Sequence, residues 1–321
     1  MDYSSALQKN ILYTLTFFDL MNKPLTLFEC WQNLFSIFPM ARKPSLSEVE
    51  AILEKHHRVE SKNGFYFKKG REALGRERQI RHNFSRERWK RGRLAAAFLS
   101  FLPFVRMVSL CNTVAFNLAD AKSDIDFFII TKKNKIWTSR FLVTGLVSLL
   151  GLRRHGQKIA NRVCLSFYLT DDNLNLERIA LKNKKDGQTE DPYLAFWCSR
   201  VSPIYGAGAA FHFFRANAWV KKFLPRTIFF RLVPRCRATD NFLKRFLKKI
   251  FEAFLGFQFL EKYLRRLQRG KMSRNTQSAA KEENTKVVIS DEMLKFHEKD
   301  LRFFYQDYMH KMGNKIFCSL H

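Results

Sequence analysis

The spacing of apolar residues in the first seventy positions predicts three helices followed by a β-hairpin. Apolar residues recur at helical spacing at Ile11, Leu12, Leu15, Phe18 and Met21. The Ser/Thr-x-x-Glu pattern of a capping box begins at Thr26 and again at Ser45, so a second and a third helix are predicted to start there. Two short β runs then flank Asn63-Gly64, which is a strong hairpin signal.

The middle of the chain alternates between strand-like and helix-like patterns. Residues 71–102 predict a basic helical connector. Runs rich in β-branched and aromatic residues predict strands at Phe104–Leu110, Ile125–Thr131 and Arg162–Leu169. A short helix after Asn112 and a long apolar helix over Ile136–Leu152 separate these strands. The order predicts an α+β protein whose α/β-type core, over 103–192, is a small mixed sheet flanked by helices.

The last third is predicted to be mainly helical. We expect a basic helical region over 193–269, a disordered polar linker over 270–289, and a C-terminal helix over 290–321. Within it, residues 242–267 form a basic amphipathic pattern. The first interpretation is a helix packed on the core with Lys and Arg outward. A helix that follows a nucleic-acid backbone and an interfacial membrane helix are the alternatives.

Three helices followed by a hairpin is the order of a winged helix, so residues 1–70 are predicted to form a winged-helix-like domain. Its third helix would enter the major groove. That helix carries Glu48, Glu50 and Glu54 against the single Lys55, and carboxylates repel phosphates. The sequence therefore argues against sequence-specific DNA binding and favours a module that packs on protein or positions substrate.

The composition indicates which classes of partner the protein would bind. Lys and Arg number 57 against 29 Asp and Glu, a formal net charge of +28, which predicts nucleic acid, nucleotide phosphates or an anionic membrane surface as partner. A lysine-rich proteome is the alternative explanation. The six cysteines are scattered without metal-site spacing, which favours free thiols in a reducing cytoplasm. No Walker loop, Gly-x-Ser-x-Gly or Rossmann fingerprint occurs, which argues against P-loop kinases and serine hydrolases.

The clearest chemical signal is Ser123-Asp124-Ile125-Asp126 at the start of a predicted strand. Side chains alternate across a strand, so Asp124 and Asp126 point to the same side. Two carboxylates on one side suit Mg²⁺ or Mn²⁺. The alternative is a structural pair that binds Lys or Arg, or caps a helix.

Ten residues separate Thr113 from Asp124. A hydrophobic strand, a small polar turn, a short helix and then Asp-hydrophobic-Asp resembles the nucleotidyltransferase signature of the DNA polymerase β superfamily. The resemblance implies that Asp124 and Asp126 are catalytic and hold Mg²⁺ or Mn²⁺. It also implies that Asn112, Thr113 and Ser123 contact the phosphates of an NTP.

Two departures from that signature matter. The usual Gly-Ser turn is Asn112-Thr113, although Asn tolerates the left-handed conformation and Thr keeps a hydroxyl. A third carboxylate, often on a later strand, is missing from the predicted polar face of residues 162–169, whose members are Arg162, Cys164, Ser166 and Tyr168. Arg162 is predicted to face the site and neutralise phosphate, or else to pair with one of the two aspartates.

The first functional hypothesis is a metal-dependent nucleotidyltransferase that moves a nucleoside monophosphate from an NTP to RNA, a small molecule or a protein hydroxyl. The alternative is a weak or inactive relative that acts as an RNA-binding module, which the missing carboxylate favours. Peripheral membrane contact through residues 242–267 is a third hypothesis.

Overall fold

A computed structural model of the chain describes residues 2–183, 186–228, 242–272, 274–282, 284–297 and 300–318. The N-terminal elements are α1 (Tyr3–Asp19), α2 (Leu27–Gln32), α3 (Leu46–Lys55), β1 (Val59–Lys62) and β2 (Phe65–Lys68). Next come α4 (Leu74–Leu99), β3 (Val105–Leu110), α5 (Asn112–Ala115), β4 (Ile125–Thr131), α6 (Ile136–Leu149) and β5 (Val163–Thr170). The remaining elements are α7 (Pro192–Arg200), β6 (Ser202–Tyr205), α8 (Ala207–Ala216), α9 (Phe242–Phe254), α10 (Gln258–Gly270), α11 (Arg274–Ala279), β7 (Val287–Ile289), β8 (Met293–Phe296) and α12 (Leu301–Cys318).

Strands β3 to β8 form one mixed sheet in the order β6-β3-β4-β5-β8-β7. The β4 and β5 strands are parallel and are joined by α6, whereas the other neighbours pair antiparallel. The predicted α+β class, with a mixed sheet flanked by helices, is confirmed. The predicted β1–β2 hairpin is also present.

Alternation along β4 divides the core into two layers. Phe128 and Ile130 pack on one side with the N-terminal helices, α7, α8 and α12. Phe127 and Ile129 pack on the other side with α4, α6 and α10. Because side chains alternate, Asp126 lies on the same side as Phe128.

The N-terminal helices are fastened to the sheet by aromatic contacts. The ring of Phe17 lies 5.4 Å from that of Phe196 on α7 and 5.0 Å from that of Tyr305 on α12. Both predicted capping boxes, at Thr26 and Ser45, are present. The N-terminal helices therefore pack on the side of the sheet that carries Phe128 and Asp126.

The C-terminal third differs from the sequence prediction. Residues 270–289 were expected to be a disordered linker, but they contain α11 and β7. Residues 290–321 were expected to form a C-terminal helix, but β8 comes first and α12 begins only at Leu301. β6, an edge strand, lies within the region predicted to be helical. β6 pairs with β3 and β8 pairs with β5, both far away in sequence, and β7 then adds to β8. A local pattern does not report the two long-range pairings.

Helix α9 was expected to pack its apolar side on the core, but several of its apolar residues face solvent. Lys244 and Lys248 point inward and are 3% and 6% exposed, while Phe242 and Phe254 are 78% and 72% exposed. The expectation of Lys and Arg outward is therefore wrong for these two lysines. No helix among the described residues is long and apolar enough to cross a membrane.

A glycine contact at the start of α8 gives a stability prediction. Gly206 has φ +88°, and an added Cβ would lie 1.9 Å from the carbonyl oxygen of Arg106. Gly206→Ala should therefore destabilise the fold by more than about 2 kcal/mol. Gly208→Ala, two residues later and with open space around its Cβ, should change stability by less than about 1 kcal/mol. Denaturant unfolding measures both, and equal stability of the two variants would contradict the close contact.

Candidate active site

The turn after β3 is built around Asn112, whose φ is +53°. Asn is among the few residues that adopt this left-handed conformation at low cost, as the sequence suggested. Its Oδ1 accepts a hydrogen bond from Nε1 of Trp197 at 2.7 Å, and its side chain lowers the pKa of the neighbouring Asp126 carboxyl. Asn112 was predicted to contact phosphate. The structure places it in the lining of the cleft, beside Trp197 and Asp126.

Asp124 and Asp126 lie at the entrance of β4 and point to the same side. Ile125 between them is fully buried on the opposite side, as expected. Carboxylate oxygens of both residues and Sγ of Cys164 all lie within 4.8 Å of one another. Cys164 reaches this point because it is the Cα partner of Asp126 in the parallel β4–β5 pairing. These three donors fit a divalent cation.

The carboxyl of Asp126 is strongly perturbed. Its pKa is raised to about 7, chiefly because the carboxyl is buried and also because of the negative charge of Asp124. Hydrogen bonds from Asn112 and Cys164 and the charge of Arg154 oppose the rise. A cation between the two carboxylates would relieve the repulsion that their geometry imposes.

A guanidinium already neutralises part of this charge. Nη1 of Arg154 lies 2.6 Å from Oδ2 of Asp124 and 3.9 Å from Sγ of Cys164. Arg154 is brought here because its backbone N–H donates to the carbonyl of Val163, at the start of β5. No periodic pattern in this part of the chain indicates so short a pairing.

Arg162, the predicted phosphate contact, does not line the cleft. Its guanidinium donates to the carbonyl of Gly151. Arg162 was expected to lie next to the aspartates, but Arg154 lies there instead. The prediction assumed that the strand began at 162, whereas β5 begins at Val163.

A bulge changes which β5 residues face the cleft. The register shifts between the Asp126–Cys164 and Phe128–Phe167 pairs, so one extra residue enters β5. As a result Phe167 lines the cleft, while Tyr168 packs in the layer on the other side. The predicted polar face is therefore wrong for Tyr168. Ser166 shares a 3.1 Å hydrogen bond with Nε2 of His297.

The pair lies in a cleft of about 440 Å³, a volume typical of small-molecule sites. Thr113 and Ser123, both predicted as phosphate contacts, line it. The Ser123 hydroxyl is held by Asp120 at 2.9 Å. The aromatic walls are Phe116, Phe167, Tyr193, Trp197 and Tyr305.

The far wall of the cleft was not predicted. Nζ of Lys295 and Nη2 of Arg302 lie 2.7 and 2.8 Å from Oδ2 of Asp300, and all three side chains are about 95% buried or more. Burial alone would raise the pKa of Asp300, but the Arg302 hydrogen bonds and the charge of Lys295 lower it to about 2. Burial lowers the pKa of His297 to about 4, so its ring is neutral at pH 7. These residues follow β7, in the region 290–321 that was predicted to be a C-terminal helix.

The other acidic residues of the cleft already bind neighbouring residues. Asp300 pairs with Lys295 in the far wall, and Asp120 accepts hydrogen bonds from the Ser123 hydroxyl and the backbone N–H of Lys122. Within the described residues, therefore, the third side chain beside the aspartate pair is the thiol of Cys164. No protein-family model, curated protein or solved structure matches this chain.

The thiol gives a prediction about metal preference. Sulfur is a soft ligand, so wild-type protein should bind Mn²⁺ and Cd²⁺ more tightly than Mg²⁺ by at least about tenfold. Cys164→Asp supplies a third hard oxygen and should raise the affinity for Mg²⁺ relative to Cd²⁺. Calorimetric titration of each ion measures the ratio.

Cys164→Ala is the matched control, because it keeps both aspartates and removes only the sulfur. An unchanged Cd²⁺ affinity in this variant would show that the thiol is not a ligand.

Proposed function

We propose that the chain is a metal-dependent nucleotidyltransferase that transfers a nucleoside monophosphate from an NTP to a hydroxyl acceptor. The observation that carries the proposal is the pair Asp124 and Asp126, which converge at the entrance of β4 in a cleft beside the Asn112–Thr113 turn. The order of β3, turn, short helix and β4 agrees with the nucleotidyltransferase signature that the sequence resembles.

Each part of the cleft has a role in this proposal. Asp124, Asp126 and Cys164 would hold Mg²⁺ or Mn²⁺, which when bound neutralises phosphate charge and makes an acceptor hydroxyl more acidic. Arg154, partly exposed beside Asp124, is placed to turn toward the triphosphate. Thr113 offers a hydroxyl, and the aromatic walls offer stacking surfaces for a base. The acceptor oxygen would bond to the α-phosphorus as the bond to pyrophosphate breaks.

The N-terminal helices and hairpin support the same proposal as a winged-helix-like module that shapes the cleft. Leu20 and Met21, at the end of α1, line the cavity, and so does Arg81 of α4. On α3, Glu48 closes its capping box and pairs with Arg42, and Glu54 is exposed. These carboxylates disfavour a nucleic-acid duplex along that helix.

Two arginines of the basic connector, now α4, have structural roles. Arg88 is 2% exposed and donates to the carbonyls of Ser123 and Ala121 at 3.0 Å, so it fixes the loop that leads to Asp124. Arg78 pairs with Glu29 at 2.6 Å. These two arginines are therefore not available for a nucleic-acid backbone.

The second candidate function is an RNA-binding relative with weak or no transfer activity. The observation that favours it is that the thiol of Cys164 lies beside the aspartates in the place of a third carboxylate. A carboxylate there would prepare the acceptor hydroxyl for attack. In that case NTP binding would survive without turnover.

Label transfer tests the proposal. Incubation of the protein with each α-labelled NTP, Mg²⁺ or Mn²⁺ and total cellular RNA should transfer label to an acceptor, slowly and faster with Mn²⁺. Arg154→Gln should lower the rate by about tenfold or more, since it removes a positive charge beside the phosphates. The comparison variant is Arg162→Gln, which removes an arginine outside the cleft and should keep the rate near wild type. Equal loss in both variants, or no transfer to RNA, protein or small molecules, would contradict the assignment.

A further inference from the structure

Helices α9 and α10 show their aromatic residues to solvent. The exposed side chains are Phe242, Phe246, Leu247, Phe251 and Phe254 on α9, Phe257 between the helices, and Phe259 and Tyr263 on α10. We call these eight residues the aromatic patch. A surface helix usually turns its apolar side toward the core, so this orientation needs a physical cause.

The cause is a set of specific polar contacts beneath α9. Nζ of Lys248 donates to the carbonyl of Val105 at 2.7 Å and to Oη of Tyr205 at 3.0 Å. Glu252 accepts a hydrogen bond from the backbone N–H of Phe104 at 2.9 Å and pairs with Arg106 at 2.6 Å. These contacts fix the polar side of the helix against the sheet and leave its apolar side outward.

Helix α10 repeats the arrangement. Glu261 is 7% exposed and accepts hydrogen bonds from the backbone N–H groups of Trp137 and Thr138, so it caps the start of α6. Gln268 is also buried, and it donates to the carbonyl of Trp137. The inner side of α10 thus combines these polar contacts with Leu260, Leu264 and Leu267, which pack in the core layer, while Phe259 and Tyr263 face solvent.

The charge around the aromatic patch has one sign. Arg245 and Lys249 on α9, and Lys262, Arg266 and Arg269 on α10, are exposed. The acidic residues of the two helices, Glu252 and Glu261, both point into the protein. An apolar strip edged by cations is complementary to a surface that is anionic outside and apolar beneath.

The apolar surface continues onto α4. Leu94, Phe98 and Phe101, at the end of that helix, are 58%, 42% and 56% exposed. Nζ of Lys244 lies 4.8 Å from the ring centre of Phe101, so this surface adjoins the start of α9. Single apolar residues scattered on a surface are ordinary, whereas exposed apolar residues that cluster on neighbouring elements mark an interaction surface.

We propose that the aromatic patch and its rim of cations dock the protein onto anionic lipid bilayers. The proposal does not depend on what the cleft binds. Aliphatic Leu247 lies within the strip, and an aliphatic side chain can be buried in acyl chains but offers no ring for stacking on a base. A second copy of the chain would bring together two surfaces of the same sign, since the protein carries +28.

The location leaves the cleft accessible. The patch attaches where β3 begins, at Phe104 and Val105, whereas the Asn112 turn follows the other end of that strand. Six residues of strand separate the two ends by roughly 17 Å. A docked molecule would therefore keep the aspartate pair away from the bilayer.

Vesicle co-sedimentation with the full chain tests the proposal. We expect binding to vesicles of phosphatidylcholine and phosphatidylglycerol, weaker binding at high salt, and much weaker binding to phosphatidylcholine alone. Phe246→Ser/Phe254→Ser should lower partitioning by about 100-fold, since each buried phenylalanine contributes about tenfold. Arg245→Gln/Lys249→Gln should weaken binding to anionic vesicles only.

The matched control is Phe28→Ser/Phe211→Ser, which removes two phenylalanines of 49% and 54% exposure outside the patch. It should partition like wild type, and circular dichroism verifies that both double variants are folded. Equal loss in the two double variants, no vesicle binding by the wild type, or equal binding to neutral and anionic vesicles would overturn the proposal. Loss of polyuridylate binding in Phe246→Ser/Phe254→Ser, without vesicle binding by the wild type, would assign the surface to RNA instead.

Discussion

The electrostatic repulsion between Asp124 and Asp126 is the constraint around which the cleft is arranged. Strand alternation puts both carboxyl groups on one side of β4, and the sheet buries one of them. An uncompensated pair of this kind is costly, so the surrounding residues supply hydrogen bonds and positive charge. Asn112 and Cys164 lower the pKa of Asp126, and Arg154 pairs with Asp124. A divalent cation would complete the compensation, which is why we regard the pair as a binding site and not as a structural feature.

Buried charge also organises the rest of the molecule. Lys295, Asp300 and Arg302 join β8 to the start of α12, and Arg302 approaches Asp191, which caps α7, at 3.5 Å. Buried ion pairs contribute little net stability but fix one arrangement of the elements they join. Buried polar groups also set the orientation of α9: Lys248 hydrogen-bonds to Val105 and Tyr205, and Glu252 pairs with Arg106. The lysine therefore points inward, and the aromatic residues point outward. The candidate cleft and the proposed membrane surface thus both depend on where the protein buries its charges.

Local patterns predicted the elements whose stability is local. The β-branched run of Ile125–Thr131 became β4 with the same bounds, and both capping boxes formed at the predicted residues. The two aspartates and the left-handed Asn112 also followed from residue type and spacing. Each of these features depends on neighbours a few positions away, which a sequence displays directly.

Long-range pairing accounts for what the sequence did not predict. β8 forms against β5, which lies more than a hundred residues earlier, and β7 pairs with β8 at the edge of the sheet. The β5–β8 pairing brings Lys295 and His297 to the cleft. Arg154 reaches Asp124 through one backbone contact with Val163, and a single extra residue in β5 moves Tyr168 to the other side of the sheet. Periodicity within one segment contains no record of these partners.

We propose that Asp124 and Asp126 bind a metal-nucleotide complex. Calorimetric titration of Mg·ATP, Mg·CTP and their Mn²⁺ forms into the wild type and the Asp124→Asn/Asp126→Asn variant tests it most directly. The account predicts metal-dependent binding by the wild type and loss of that binding in the variant, which should remain folded because both amides keep the shape of the carboxyls they replace. Equal nucleotide binding by the two proteins, or no binding by either with any of these complexes, would contradict it.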